Sequence, residues 1–133
     1  MNNLSKNFLR GLMVLAFCAT LGLVPAARAA DENIGANVAS ITVSSKLTTA
    51  DVESAIQQAL IGRKWIVRDK TSGQIVAHYE RGKNTATLTI RYDSTKIDIY
   101  AVGQARGGGV PMNWVNFLTK DINVYLGRML LSK

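Results

Sequence analysis

The sequence predicts an α+β fold: a two-layer sandwich in which two helices pack on one face of an antiparallel β-meander. Three observations predict it. Five short segments alternate apolar and polar residues with the period of a strand. Two longer segments repeat apolar residues every three or four positions, as a half-buried helix does. The links between the last four strand-like segments are too short for parallel crossovers. The order is β-α-β-β-β-β-α, and two one-sided helices are best buried together on one sheet face.

Residues 38–43 set Ala39, Ile41 and Val43 against Val38, Ser40 and Thr42 and predict the first strand. Residues 48–62 predict a helix. Thr48 or Thr49 caps it, and Asp51 and Glu53 occupy the first turn, where the helix dipole favours acids. Val52, Ala55, Ile56, Ala59 and Leu60 form its apolar stripe, and Gly62 is the expected stop.

Four strands follow. Lys64–Arg68 places Trp65 and Val67 on one face, and residues 69–73 form a turn. Gln74–Glu80 sets Ile75, Ala77 and Tyr79 against Val76, His78 and Glu80. After the turn Arg81-Gly82-Lys83-Asn84, Thr85–Tyr92 alternates most cleanly, with Ala86, Leu88, Ile90 and Tyr92 inward. Lys96–Val102 offers Ile97, Ile99 and Ala101 to the core. Residues 103–110 predict a flexible glycine-rich loop. Pro111 fits the first turn of a last helix, whose stripe runs Trp114, Val115, Leu118, Ile122, Tyr125, Leu126 and Met129. Trp65, Tyr92 and Trp114 are expected to serve packing.

The N-terminus predicts export. Lys6 and Arg10 precede an uncharged stretch over residues 11–24, then Pro25, with Ala27 and Ala29 before a cleavage point. The stretch is short for a spanning helix, which needs about 20 apolar residues. Residues 1–29 are therefore a cleaved signal peptide, 30–37 a flexible start, and 38–133 a single domain. Lipidation at Cys18 is disfavoured, because Phe17 stands where a lipoprotein signal needs a small residue. The expected location is the periplasm, with no stable membrane span in the mature form.

Removal of the signal takes away Lys6, Arg10, Arg28 and the lone cysteine, and lowers the formal charge from +7 to +4. That is a solubility-level charge and not a nucleic-acid footprint, so no nucleic-acid partner is expected. The mature domain must hold together without a disulfide.

Catalytic chemistry finds little to work with. His78 is the only histidine, and no metal, cofactor or catalytic set is assigned. The chain lacks the Gly-x-Ser-x-Gly elbow of a serine hydrolase, so a hydrolase using His78 is a minor alternative. Glu80 and Asp98 are expected to pair with Arg91 or Lys96 across strands. Gly107-Gly108-Gly109 before a helix fits neither phosphate-loop spacing, though Arg106 within that loop can meet an anion.

Two surfaces remain as interaction candidates. One is the outer sheet face with Val76, His78, Arg91 and Tyr100, which suits a homodimer or a partner protein if it is not simply wet. The other is basic: Arg63, Lys64, Arg68 and Arg106, with Lys70, Arg81 and Lys83 at neighbouring strand ends.

Four stretches, "LTTADVESAIQQALIGRKWIV", "GQIVAHYERGKNTATLTIRYDSTKIDIY", "NWVNFLTKDINVYL" and the leader, together resemble a family of small uncharacterised periplasmic proteins and lipoproteins of Gram-negative bacteria. The resemblance spans most of residues 40–126 and implies no reaction or catalytic residue. The expected function is a non-enzymatic binding or interaction domain of the cell envelope. Its partner is expected to be an envelope protein or an anionic envelope component, either lipid or glycan.

Overall fold

A computed structural model describes residues 33–133, and the signal-peptide and Cys18 expectations lie outside that range. Residues 34–133 form one unit. Its order is β1 (Ala36–Thr42), α1 (Thr49–Gly62), β2 (Ile66–Thr71), β3 (Gln74–Arg81), β4 (Asn84–Tyr92), β5 (Lys96–Gln104) and α2 (Met112–Leu131). The five strands make one antiparallel sheet in the order β1-β5-β4-β3-β2. The predicted α+β class and element order are therefore what the chain adopts.

Strand pairing explains the core. Ile75, Ile90 and Ile99 lie in one register row across β3, β4 and β5, and Ala77, Leu88 and Ala101 lie in the next. All six are buried, and they join Val52, Ile56 and Leu60 of α1 and Val115, Leu118 and Ile122 of α2 in a single cluster. A single cluster needs both helices on the same sheet face. The helices run antiparallel: Lys133 Nζ lies 2.8 Å from Asp51, and Arg63 reaches Asp121.

The α1 start is a capping box. The Asp51 N–H donates to Thr48 Oγ1 at 3.2 Å and the Thr48 N–H donates to Asp51 Oδ2 at 2.9 Å, which makes Thr48 the cap. The stop differs from expectation. Gly62 is the last helical residue, and Lys64 takes the left-handed conformation at φ 63. The Trp65 N–H donates to Leu60 O and the Lys64 N–H to Ile61 O, the paired bonds of a Schellman closure. This closure turns Trp65 back under the helix, 6% exposed, one residue before β2 begins.

Three other boundaries moved for physical reasons. β1 starts at Ala36, inside the stretch expected to be flexible, and bulges between Asn37 and Ala39. The bulge lets Val38 and Ala39 both pack on the core where strict alternation allows one. β2 runs on to Thr71, through residues expected to form a turn. It is an edge strand whose residues are all exposed, so polar side chains do not break it. Val67 is 40% exposed instead of sharing a buried face with Trp65, and a register shift between Val67 and Asp69 re-phases the strand. Lys70 then shares a face with buried Ile75, and it pairs with Glu53 of α1. At α2, Pro111 is the cap and not the first helical residue. Its φ of −69 suits a helix but its ψ of 84 does not, and its carbonyl accepts the first helical hydrogen bond, from Trp114.

Candidate functional site: an aromatic cleft at the basic end

One end of the sheet gathers the β3–β4 turn, the exit of β5, the closure of α1 and the start of α2. Here a cleft of about 210 Å³ is lined by Arg63, Trp65, Tyr79, Arg81, Trp114 and Phe117. Each wall has a local cause. Trp65 is placed by the Schellman closure, and Tyr79 and Arg81 by the inner-face alternation of β3. Trp114 and Phe117 stand on the first turns of α2.

The start of α2 is held close to the sheet by Gly103. A Cβ there would lie 2.6 Å from the Thr85 carbonyl oxygen and 3.2 Å from Pro111 Cδ. The loop between is tied down rather than flexible. The Ala105 N–H donates to Gly109 O at 2.7 Å, Gly108 N–H to Ala105 O at 2.9 Å, and Arg106 N–H to Asn84 Oδ1 at 2.8 Å.

The rings form a stepped wall. Tyr79 lies between the tryptophans, 5.4 Å from Trp65 and 4.7 Å from Trp114, the latter contact T-shaped. Arg63 sits 5.0 Å over the Phe117 ring and makes a two-point contact with Asp121, at 2.5 and 3.1 Å. That guanidinium holds the Asp121 carboxyl below the usual carboxylate range. Phe117 is 52% exposed. Arg81 makes no ion pair or side-chain hydrogen bond among the described residues. The same holds for the side-chain hydrogen-bonding atoms of Trp65, Tyr79 and Trp114, and none of these is cut off from solvent.

Of the predicted basic set, Arg63 lines this cleft, Lys64 is the left-handed residue beside it, and Arg106 lies across Trp114, which also borders a second, shallower hollow. Arg68 does not join them; it is exposed at the β2 bulge. With Arg81 and Lys83 at the β3–β4 turn, the cations of this end outnumber the nearby acids, Glu80 and Asp121.

The outer sheet face does assemble as expected. Val76, Thr89 and Tyr100 share one register row, and His78, Thr87 and Val102 share the next. Arg91 lies 5.5 Å over the Tyr100 ring, but it donates to Gln74 Oε1 at 3.1 Å instead of pairing with Asp98 or Glu80. Asp98 pairs with Lys96 at 3.1 Å and accepts from Ser40 at 2.7 Å, and these contacts lower its pKa, Ser40 most. Thr89 is 5% exposed although it stands on this face.

His78 Nδ1 lies 2.9 Å from Thr87 Oγ1, and its Nε2 lies 3.7 Å from Glu80. The trio has the residue types of a hydrolytic triad without its surroundings. His78 and Thr87 sit in mid-strand on paired β3 and β4, with no helix start or strained turn beside them to aim N–H groups at a substrate oxygen. No group of three or more metal-ligating side chains occurs among the described residues. No helix among them is long and apolar enough to cross a membrane.

Sequence reasoning assigned Trp65 and Trp114 to packing and did not place Phe117 at all. The missed signal was that Phe117 falls off the apolar stripe of α2, where a large ring has no core to enter. Comparison with protein-family models, with curated proteins and with solved structures finds no match to this chain.

Proposed function

We propose that the chain is a small exported domain of the cell envelope that binds and does not catalyse, and that its basic, aromatic end takes an anionic envelope component. One observation carries the reading: among the described residues Arg81 stands unpaired beside a ring-lined cleft whose other cation, Arg63, is already matched by Asp121. An unpaired cation beside open ring surface is what an anionic partner needs, because charge steers the approach and the rings supply contact area. The leader supports export: a basic start, a short apolar stretch and small residues at 27 and 29.

The test is retention of the chain on phosphatidylglycerol vesicles and on an immobilised polyuronate, over a salt series. Screening shortens from about 30 Å at 0.01 M to about 3 Å at 1 M, so retention on at least one of them is expected to fall steeply. No retention on either, or retention indifferent to salt, contradicts the proposal. In a fractionation of the source cells, a chain beginning at Ala30 in the periplasm is expected. An intact chain in the cytoplasm contradicts export.

A further inference from the structure

Resting on that reading, we infer that the cleft of Trp65, Tyr79, Trp114 and Phe117 is a saccharide site selective for a sugar unit that carries a carboxylate. Three properties of the cleft point there.

The first is its supply of donors. The indole N–H groups of Trp65 and Trp114 and the Tyr79 hydroxyl have no partner among the described residues, yet none is cut off from solvent, even that of the 6% exposed Trp65. Such groups keep their hydrogen bonds only if solvent or a ligand accepts them. A ring bearing several hydroxyls offers acceptors spaced around a compact body. A phosphatidylglycerol headgroup has its charge on one phosphate and its two hydroxyls on a flexible chain, and it presents no ring face to this wall.

The second is the combination of ring surface and size. Phe117 is half exposed at the mouth, with Arg63 over one face of its ring. The C–H face of a pyranose packs on such surface, while an acyl chain needs a longer channel. At about 210 Å³ the cleft is smaller than the roughly 300 Å³ at which drug-sized pockets begin, so it suits one ring-sized unit.

The third is the division of charge. Asp121 holds Arg63 through Nε and Nη2, so this cation is neutralised and fixed in place. Among the described residues, nothing occupies the donor fork of Arg81. A planar fork matches a carboxylate with two parallel hydrogen bonds, a geometry that lysine cannot reproduce. A neutral sugar would leave Arg81 unmatched.

Both tryptophans of the chain line this cleft, so intrinsic fluorescence reports on it directly. The experiment titrates the protein with a galacturonic acid trimer, with the neutral galactose trimer and with phosphatidylglycerol vesicles. A saturable fluorescence change with the acidic trimer is expected, at least tenfold weaker with the neutral one. Arg81→Ala weakens acidic binding about tenfold or more, the scale of a lost charge-assisted hydrogen bond. Arg81→Lys recovers only part of that loss. Phe117→Ala, at an exposed position that leaves the fold intact, also weakens it. Lys46→Ala removes the same charge at the opposite end and leaves it unchanged.

Equal response to the two trimers, or equal loss with Lys46→Ala and Arg81→Ala, overturns the saccharide assignment. Response to vesicles alone also overturns it but spares the anionic-partner reading. Silence with all three, in a protein that also fails to be retained on vesicles or polyuronate, removes both.

Discussion

Tyr79 of the central sheet meets Trp114 of α2 in a T-shaped contact, ring centroids 4.7 Å apart and planes at 78°. This contact fastens the start of the last helix to the sheet and at the same time builds the inner wall of the cleft. Packing and the proposed site therefore share residues here. Tyr79→Leu and Trp114→Leu are each expected to destabilise the fold, by about 1–3 kcal/mol. A double-mutant cycle in urea should return a coupling of roughly 0.5–1.5 kcal/mol, beyond what area burial gives. Coupling near zero would mean that the rings are neighbours without being partners.

Lys64 closes α1 in the left-handed conformation, where a side chain is costly and glycine is not. Lys64→Gly is expected to stabilise the domain by about 0.5–1 kcal/mol, the gain in the folded state being offset in part by added freedom in the unfolded chain. For a domain of this size that raises the thermal midpoint by roughly 2–8 °C. A lower midpoint would show that the Lys64 side chain contributes more than its backbone strain costs.

Two glycines of the loop region separate a packing requirement from simple permissiveness. A Cβ on Gly103 collides with the backbone of Thr85, whereas one on Gly107 meets nothing within 4 Å. Gly103→Ala should cost about 1–3 kcal/mol and shift the tryptophan emission, because the start of α2 must move away from the sheet. Gly107→Ala should stay within about 0.5 kcal/mol of the parent. Denaturation curves of the two variants side by side give the comparison.

Two groups on opposite sides of neutrality contribute to the domain's pH limits. Asp51 is held down to about 2 by Lys133 and by the Thr48 cap. Its folded pKa lies below the unfolded value, so its contribution is present above about 4 and is lost as pH falls toward 2. Tyr92 is pushed up to about 12, first by burial and then by its 2.8 Å hydrogen bond to Glu53. Its folded pKa lies above the unfolded value of 10, so its contribution is present below pH 10 and is lost as pH rises toward 12. Urea midpoints across pH should show both losses. Asp51→Asn should make the acid limb shallower, with the remainder carried by Glu53, Asp93, Asp98 and Asp121, and Tyr92→Phe should flatten the alkaline limb.

The fold was legible because alternation and helical spacing each name a face. The buried rows of Ile75, Ile90 and Ile99, and the stripes of Val52–Leu60 and Val115–Leu126, follow from those periods alone. What was not legible depended on local exceptions and on tertiary assembly. The left-handed Lys64 carries no compositional mark, and the polar run Asp69-Lys70-Thr71 looks like a turn until its place at the sheet edge is known. The cleft draws residues 63, 65, 79, 81, 114 and 117 from three parts of the chain. The antiparallel order of the helices and the β2–β3 pairing bring them together, so Trp65, a member of the buried core, and Trp114, packed against that core, also form the cleft walls.

The most direct test of the central claim, that this end of the molecule is the binding site, is a ¹H–¹⁵N correlation spectrum with and without an acidic saccharide. The chain has two tryptophans, so the two indole N–H signals are unambiguous reporters. Both indole signals and the Arg81 and Phe117 amides are expected to shift in a saturable way, while Val76, Thr89 and Tyr100 on the outer face stay in place. Shifts confined to the outer face, with the indole signals unmoved, would contradict that claim.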